Sequence, residues 1–317
     1  MIAVHLEGGR VEIRKKARPR RREGFAVLRL IYGGICNTDI ELRRGYYGFV
    51  GTPGHEFVAE VVEAETRGLV GKRVVGEINL ACGACEWCRA GRRRHCPRRT
   101  VLGIVKHPGA FSEFFTLPER NLHVVPKGVS DEEAVFTEPL AAACEILDQV
   151  KFARGAEVGV LGDGKLGLLI AQVLRAAGLR VVLFGRHEEK LRLARKAGVE
   201  TVVAKKLPKA RFDYVVEATG AASALEDAVA MTRALGTVVM KSTVHGKVAL
   251  DTAPVIVDEL TLVGSRCGRM EPALELLKKR KVKVRGMISD VMALKEAPRA
   301  FRRAEEKGVL KVLLANR

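Results

Sequence analysis

A chain of 317 residues is too long for one ordinary core, so two domains are the expectation. Hydrophobic residues at 47% and charged residues at 29% give the balance of a soluble globular protein, and no run approaches the roughly 18–20 consecutive apolar residues that a membrane span needs. The net charge of +18 comes largely from runs at 14–22, 89–99 and 278–285, yet no aromatic-interleaved basic groove accompanies it; these runs read as a solvated surface, and neither a nucleic acid nor a membrane is expected as partner.

The first residues, Met1–Leu6, alternate as a strand does and lack the layout of a secretory signal, which predicts a cytoplasmic protein with reduced thiols. Residues 1 to about 135 are rich in short alternating runs broken by Gly and Pro, such as 27–30, 57–62 and 73–75, and predict β-rich, irregular structure. From about 138 the texture changes. A helix at 138–150 precedes a strand at 157–161, a glycine turn, a helix through Arg175, a strand at 180–184 and a helix at 188–197. Strands at 214–216, 237–240 and 260–263 follow, with helices at 223–234 and 272–279. Strand and helix alternating in this way predict a doubly wound parallel sheet, an α/β fold of the Rossmann type. The last stretch carries a strand, a helix near 297–306 and a strand at 309–314. The expected domains are 1–137, with a cysteine lobe at about 80–100, then 138–285, and 286–317 returning to the first.

Four of the seven cysteines stand as Cys82-x2-Cys85-x2-Cys88-x7-Cys96. In a reducing compartment this spacing predicts a metal site, not disulfides, and four protein thiolates closing a tetrahedron leave no open position. The predicted metal there is a structural zinc.

Gly162-Asp163-Gly164-Lys165-Leu166-Gly167 follows a predicted strand and opens a predicted helix. In that setting the first glycine permits the tight turn, the second lets backbone approach a pyrophosphate, and the third lets helix and strand pack closely. The strand after it ends in Phe184-Gly185-Arg186-His187, where an NAD site usually places an acidic residue. A glycine there leaves space, and the Arg186 fork suits a 2′-phosphate, so NADP is expected over NAD.

Cys36-Asn37-Thr38-Asp39, Gly54-His55-Glu56 and Thr137-Glu138-Pro139-Leu140, taken in this order with the cysteine lobe, the glycine loop, Glu217-Ala218-Thr219-Gly220 and Gly264-Ser265, resemble the zinc-dependent medium-chain alcohol dehydrogenase superfamily. The likeness spans essentially the whole chain and is nearest in motif to glucose, sorbitol and threonine dehydrogenases. It implies a GroES-like catalytic domain beside the Rossmann domain. It also implies two zincs per chain and dinucleotide contacts from the glycine loop, Gly185, Arg186, His187 and Thr219.

The resemblance matches Cys36 and His55 to catalytic zinc ligands, with Glu56 and Glu138 as the carboxylates that complete or exchange in the set. Asp39 matches the carboxylate that orients the ligand histidine, and Thr38 the hydroxyl that bonds the substrate alcohol. Glu41 stands where many relatives end the proton relay with histidine. Tyr46, Tyr47 and Glu113 are the candidate substrate contacts. The implied activity is hydride transfer between a nicotinamide and a secondary alcohol of a polyol or sugar. Simple alcohols or an amino-alcohol such as threonine are the alternative, and a non-catalytic nucleic-acid-binding protein the remote one. A homodimer or homotetramer is the implied assembly.

Overall fold

The computed structural model describes residues 1–243 and 247–317. The chain forms two compact units: Met1–Glu138 with Ala273–Lys278 and Ile288–Arg317, and Pro139–Pro272 with Lys279–Met287.

In the first unit a sheet runs in the order Leu122–Val124, Arg73–Gly76, Glu56–Glu63, Phe25–Gly34, Lys311–Ala315, Ile288–Ala293, and Phe114–Pro118 also pairs with Phe25–Gly34. Largely apolar runs make these strands: Ala26, Val27, Leu28 and Leu30 are buried, while Arg29 between them is exposed. The C-terminal strand is buried along its whole length and lies antiparallel to Phe25–Gly34, pairing Leu313 with Gly34. On the other side of the same glycine lies Glu56. Residues from opposite ends of the chain thus meet across Gly34. A smaller sheet of Asn79–Leu80, Thr100–Leu102 and Lys106–His107 belongs to the cysteine lobe.

The second unit is a six-stranded parallel sheet in the order Glu200–Val203, Arg180–Gly185, Glu157–Leu161, Phe212–Glu217, Thr232–Met240, Thr261–Gly264. The first strand in sequence sits centrally and the order reverses beside it, which is the doubly wound Rossmann arrangement. Helices Lys165–Ala176, Glu188–Lys196 and Ala224–Met231 connect its strands, and Val160, Val182, Val215 and Val238 are almost wholly enclosed.

Two local expectations are corrected. The helix expected through Ala234 stops at Met231, and the following strand starts at Thr232, not Thr237. The apolar spacing continues, but the Thr232 hydroxyl donates to the Ala228 carbonyl and its backbone pairs with Phe212, so tertiary pairing overrides the helical period. The strand at Glu200–Val203 was too short and too weakly alternating to predict. No helix among the described residues is long and apolar enough to cross a membrane.

Candidate active site

Helix Asn37–Arg43 places the first metal-ligand candidate at its N-cap, Cys36, and an acid at its third position, Asp39. One Asp39 oxygen accepts the Cys36 backbone N–H at 2.9 Å; the other accepts the Gly54 N–H at 3.1 Å and lies 3.5 Å from His55 Nδ1. This fully enclosed carboxylate therefore fixes the two separate backbone segments that carry Cys36 and His55.

One ligand atom each from Cys36, His55 and Glu56 fall within 4.8 Å of one another. His55 and Glu56 are buried, and His55 Nδ1 has no hydrogen-bond partner. Burial opposes charge on the imidazole, but the Asp39 carboxylate and the Cys36 thiolate outweigh it and hold the His55 pKa well above the usual histidine value. The pocket's field thus favours positive charge at this point. A thiolate, an imidazole and a carboxylate around such a field fit a catalytic zinc, three protein ligands leaving a fourth position open.

Glu56 has a partner that sequence reasoning missed. Its carboxylate pairs with the Lys311 ammonium, and both side chains are almost wholly enclosed. Gly34 makes the pair fit: a Cβ there would stand 2.7 Å from Glu56 Oε2 and 3.4 Å from Lys311 Cδ. Burial works against the ammonium, but Glu56, with Cys36 and Asp39 behind it, holds its pKa above the ordinary lysine value. The one sequence signal was a charged residue at the head of an otherwise apolar strand, Lys311–Ala315.

The other expected residues are placed variously. Thr38 Oγ1 lies 3.8 Å from Cys36 Sγ, beside the ligand set. Glu138, at the start of helix Thr137–Gln149, does not join the set in which every ligand atom lies within 4.8 Å. The Glu41 carboxylate accepts from Arg44 at 2.9 Å, so this relay candidate is held by an ion pair. Tyr46 and Tyr47 pack on each other with ring centres 4.1 Å apart, and Tyr47 is exposed. Glu113 Oε2 accepts the Ile2 backbone N–H at 2.6 Å, which makes it a structural contact.

The four lobe sulfurs are Cys82, Cys85, Cys88 and Cys96, and all lie within 4.8 Å of one another. Their closest separations are 3.4 Å for Cys85–Cys88, 3.5 Å for Cys82–Cys96, 3.7 Å for Cys85–Cys96 and 3.9 Å for Cys82–Cys88. Zinc bonds to sulfur of about 2.3 Å in a tetrahedron put the sulfurs about 3.8 Å apart, whereas a disulfide needs about 2.05 Å. The backbone N–H groups of Ala84 and Cys85 draw the Cys82 thiol down to about 6, while burial pushes the Cys88 thiol up to about 11. This lobe fits a closed zinc site.

In the second unit, Gly162, Asp163 and Gly164 with Gly185, Arg186, His187, Lys190 and Thr219 line a cavity of about 300 Å³. Lys165, Leu166 and Gly167 open the helix behind it, and a Cβ on Gly167 would fall 1.9 Å from the Gly162 carbonyl oxygen. The exposed Thr219 donates its hydroxyl to Glu217 at 2.7 Å.

Two residues here were also missed. Lys190 adds a third basic side chain to Arg186 and His187. Asp163 Oδ2 accepts the backbone N–H groups of Arg186 at 2.6 Å and His187 at 2.7 Å, and the His187 ring lies 3.0 Å away. Gly185 admits it, since a Cβ at 185 would stand 2.5 Å from that oxygen. The strand-end acid is absent, and a carboxylate from the glycine loop holds the turn in its place.

Comparison with known proteins agrees with this architecture. The family model of the alcohol dehydrogenase GroES-like domain matches residues 22–127, and that of zinc-binding dehydrogenases matches 166–279. A sorbitol dehydrogenase of Halalkalibacterium halodurans is 29% identical over 96% of each chain. An L-threonine 3-dehydrogenase of Saccharopolyspora erythraea is 34% identical over 75% of each. The crystal structure of a putative zinc-binding dehydrogenase from Sinorhizobium meliloti, bound to NADP, superposes with a TM-score of 0.91 at 30% identity, covering 99% of this chain and 98% of that one.

Proposed function

The chain belongs to the zinc-dependent medium-chain alcohol dehydrogenase superfamily, and on that premise we propose that it oxidises a secondary alcohol of a polyol or sugar, or reduces the matching carbonyl, with NADP preferred over NAD. The observation that carries this reading is the Cys36–His55–Glu56 set, its histidine and glutamate buried and its cysteine half-buried, clamped by Asp39. When bound, zinc supplies Lewis acidity towards an alcohol and the nicotinamide supplies the hydride acceptor. The chain's own residues do the rest. Asp39 orients Cys36 and His55, and the Thr38 hydroxyl, 3.8 Å from Cys36 Sγ, is placed to hold the alcohol proton. Lys311 pairs with Glu56, which gives this carboxylate a counter-charge in a closed site. Glu138 is retained as a candidate carboxylate for the metal, and Glu41 serves the relay only when Arg44 releases it.

The NADP preference rests on Arg186, His187 and Lys190 gathered at one cavity with no strand-end acid. The lobe cysteines hold the second zinc in a structural role. Thr261–Gly264 forms an outer strand of its sheet, with Ile256 and Val257 exposed in the segment before it, so pairing of this edge in a homodimer is part of the proposal, in a cytoplasmic protein.

A panel of polyols, aldoses, simple alcohols and L-threonine with each nicotinamide, followed at the reduced-nicotinamide absorbance, tests the reading. Turnover on polyols or sugars with NADP supports it. Turnover on threonine alone would transfer the assignment to the second reading, which the threonine dehydrogenase likeness favours. Activity on no alcohol at all would overturn both.

A further inference from the structure

The first unit has a second cavity, of about 400 Å³, that the dehydrogenase reading does not use. It is in the size range of small-molecule pockets. Lys16, Arg22, Lys106 and His107 line it together with Thr52 and Ser112, and no carboxylate is among its lining residues. None of the four basic groups is in an ion pair among the described residues.

Their neighbours behave differently. Arg14 pairs with Glu7 and Glu12, Arg18 with Glu63 and Arg21 with Glu65, so three arginines of the same basic segment that do not line the cavity have acid partners. The four basic groups at the cavity, of which Lys16, Arg22 and Lys106 are exposed and His107 half-buried, have no carboxylate partner among the described residues. Burial pushes the Lys16 ammonium below its ordinary pKa, with Arg14 adding repulsion. Burial lowers His107 likewise, and Arg22 repels its charged form. A phosphate in the cavity would supply the counter-charge that its lining lacks.

The wall of this cavity is continuous with the loop that carries His55. Lys16 Nζ donates to Thr52 Oγ1 at 2.9 Å. The backbone of Gly109, Ala110 and Phe111, just after His107, donates in turn to the carbonyls of Thr52, Gly54 and Pro53. We propose that this cavity is an anion site, in which Lys16, Arg22, Lys106 and His107 converge on a phosphate group, either inorganic phosphate or a phosphomonoester. Phosphate is favoured over a single carboxylate because its two negative charges answer three permanent cations and an imidazole.

Calorimetric titration of the zinc-loaded protein, with saturating nicotinamide dinucleotide to fill the other phosphate-binding cavity, tests this at constant ionic strength. Inorganic phosphate and glycerol 3-phosphate are the two ligands, and sodium chloride is the control. One saturable site per chain is expected, for both ligands if the phosphate group alone is read, and for glycerol 3-phosphate alone if the ester is required. Lys16→Met should weaken binding roughly tenfold or more, the loss of one charge-assisted contact. The surface pair Arg22→Ala/Lys106→Ala, which leaves the buried wall intact, should do the same while unfolding like the parent. Heats no larger than those of chloride, or unchanged affinity in both variants, would overturn the proposal.

Discussion

Replacing Lys311 by methionine removes one charge from an ion pair that water barely reaches, and leaves the stem that packs beside Gly34. Deleting one partner of such a pair costs about 3–5 kcal/mol, because the other charge stays buried without compensation. In a unit of this size about 1 kcal/mol moves the melting temperature by about 2–4 °C, so a fall of roughly 6–20 °C is expected. The double variant Lys311→Met/Glu56→Gln should recover most of the loss, since neither charge remains. The assay is calorimetric or denaturant unfolding of four proteins: parent, Lys311→Met, Glu56→Gln and the double. Each is measured as purified and after chelation. The single Lys311→Met loss should be larger after chelation, because a zinc dication beside Glu56 can stand in for the ammonium. A loss below about 1 kcal/mol in the chelated protein, or single losses that simply add in the double, would refute the reasoning that the pair is an energetic unit.

Arg186→Ala should raise the KM for NADP by roughly 10–100-fold and leave NAD nearly unchanged, since a charge-assisted contact to phosphate is worth about 1.5–3 kcal/mol; equal effects on both cofactors in steady-state assays would remove Arg186 from the phosphate site. Metal analysis should find two zincs per chain; Cys36→Ser should lose one along with activity, and Cys96→Ser the other along with the lobe's resistance to proteolysis. Asp163→Asn tests the turn at the end of the second strand. Burial raises the Asp163 carboxyl, but the N–H groups of His187 and Arg186 and the His187 ring outweigh it and hold its pKa below the usual aspartate range. A depressed folded pKa adds stability above the unfolded value of about 3.9 that is lost as pH falls through the folded one. The parent should therefore be more stable than Asp163→Asn near neutrality, and the gap should close at pH below about 4 in denaturant unfolding.

What the sequence made legible was chemistry carried by short, contiguous motifs. Cys82, Cys85, Cys88 and Cys96 lie within fifteen residues, so spacing alone brings their sulfurs together. The glycine loop was readable because strand, turn and helix N-terminus are consecutive. Cys36 and His55 needed the order of several motifs to be paired, and Asp39 shows why that order works: one carboxylate binds the backbone beside each ligand. Glu138 was read from the same order, and the fold leaves it outside the tight set. Spacing and motif order do not report how far a helix start stands from a strand of another segment.

The residues that escaped are those whose partners are set only by the completed sheet. Lys311 and Glu56 are 255 positions apart, and nothing local to either announces the other. A lysine heading an apolar strand reads as an edge residue until the C-terminal strand is seen to insert beside Phe25–Gly34, which buries it. Once that insertion is fixed, an isolated ammonium could not remain there, and the nearest acid is the carboxylate that also faces the metal position. Gly34 then has a reason beyond the strand it sits in: it is the space in which that pair fits. The same logic governs Asp163 and Gly185, where a missing side chain on one strand lets a carboxylate from another segment organise the cofactor turn. In both units the candidate metal and dinucleotide residues could be proposed from sequence, whereas the carboxylates and cations that hold them in register become visible only when non-local strands close around a glycine.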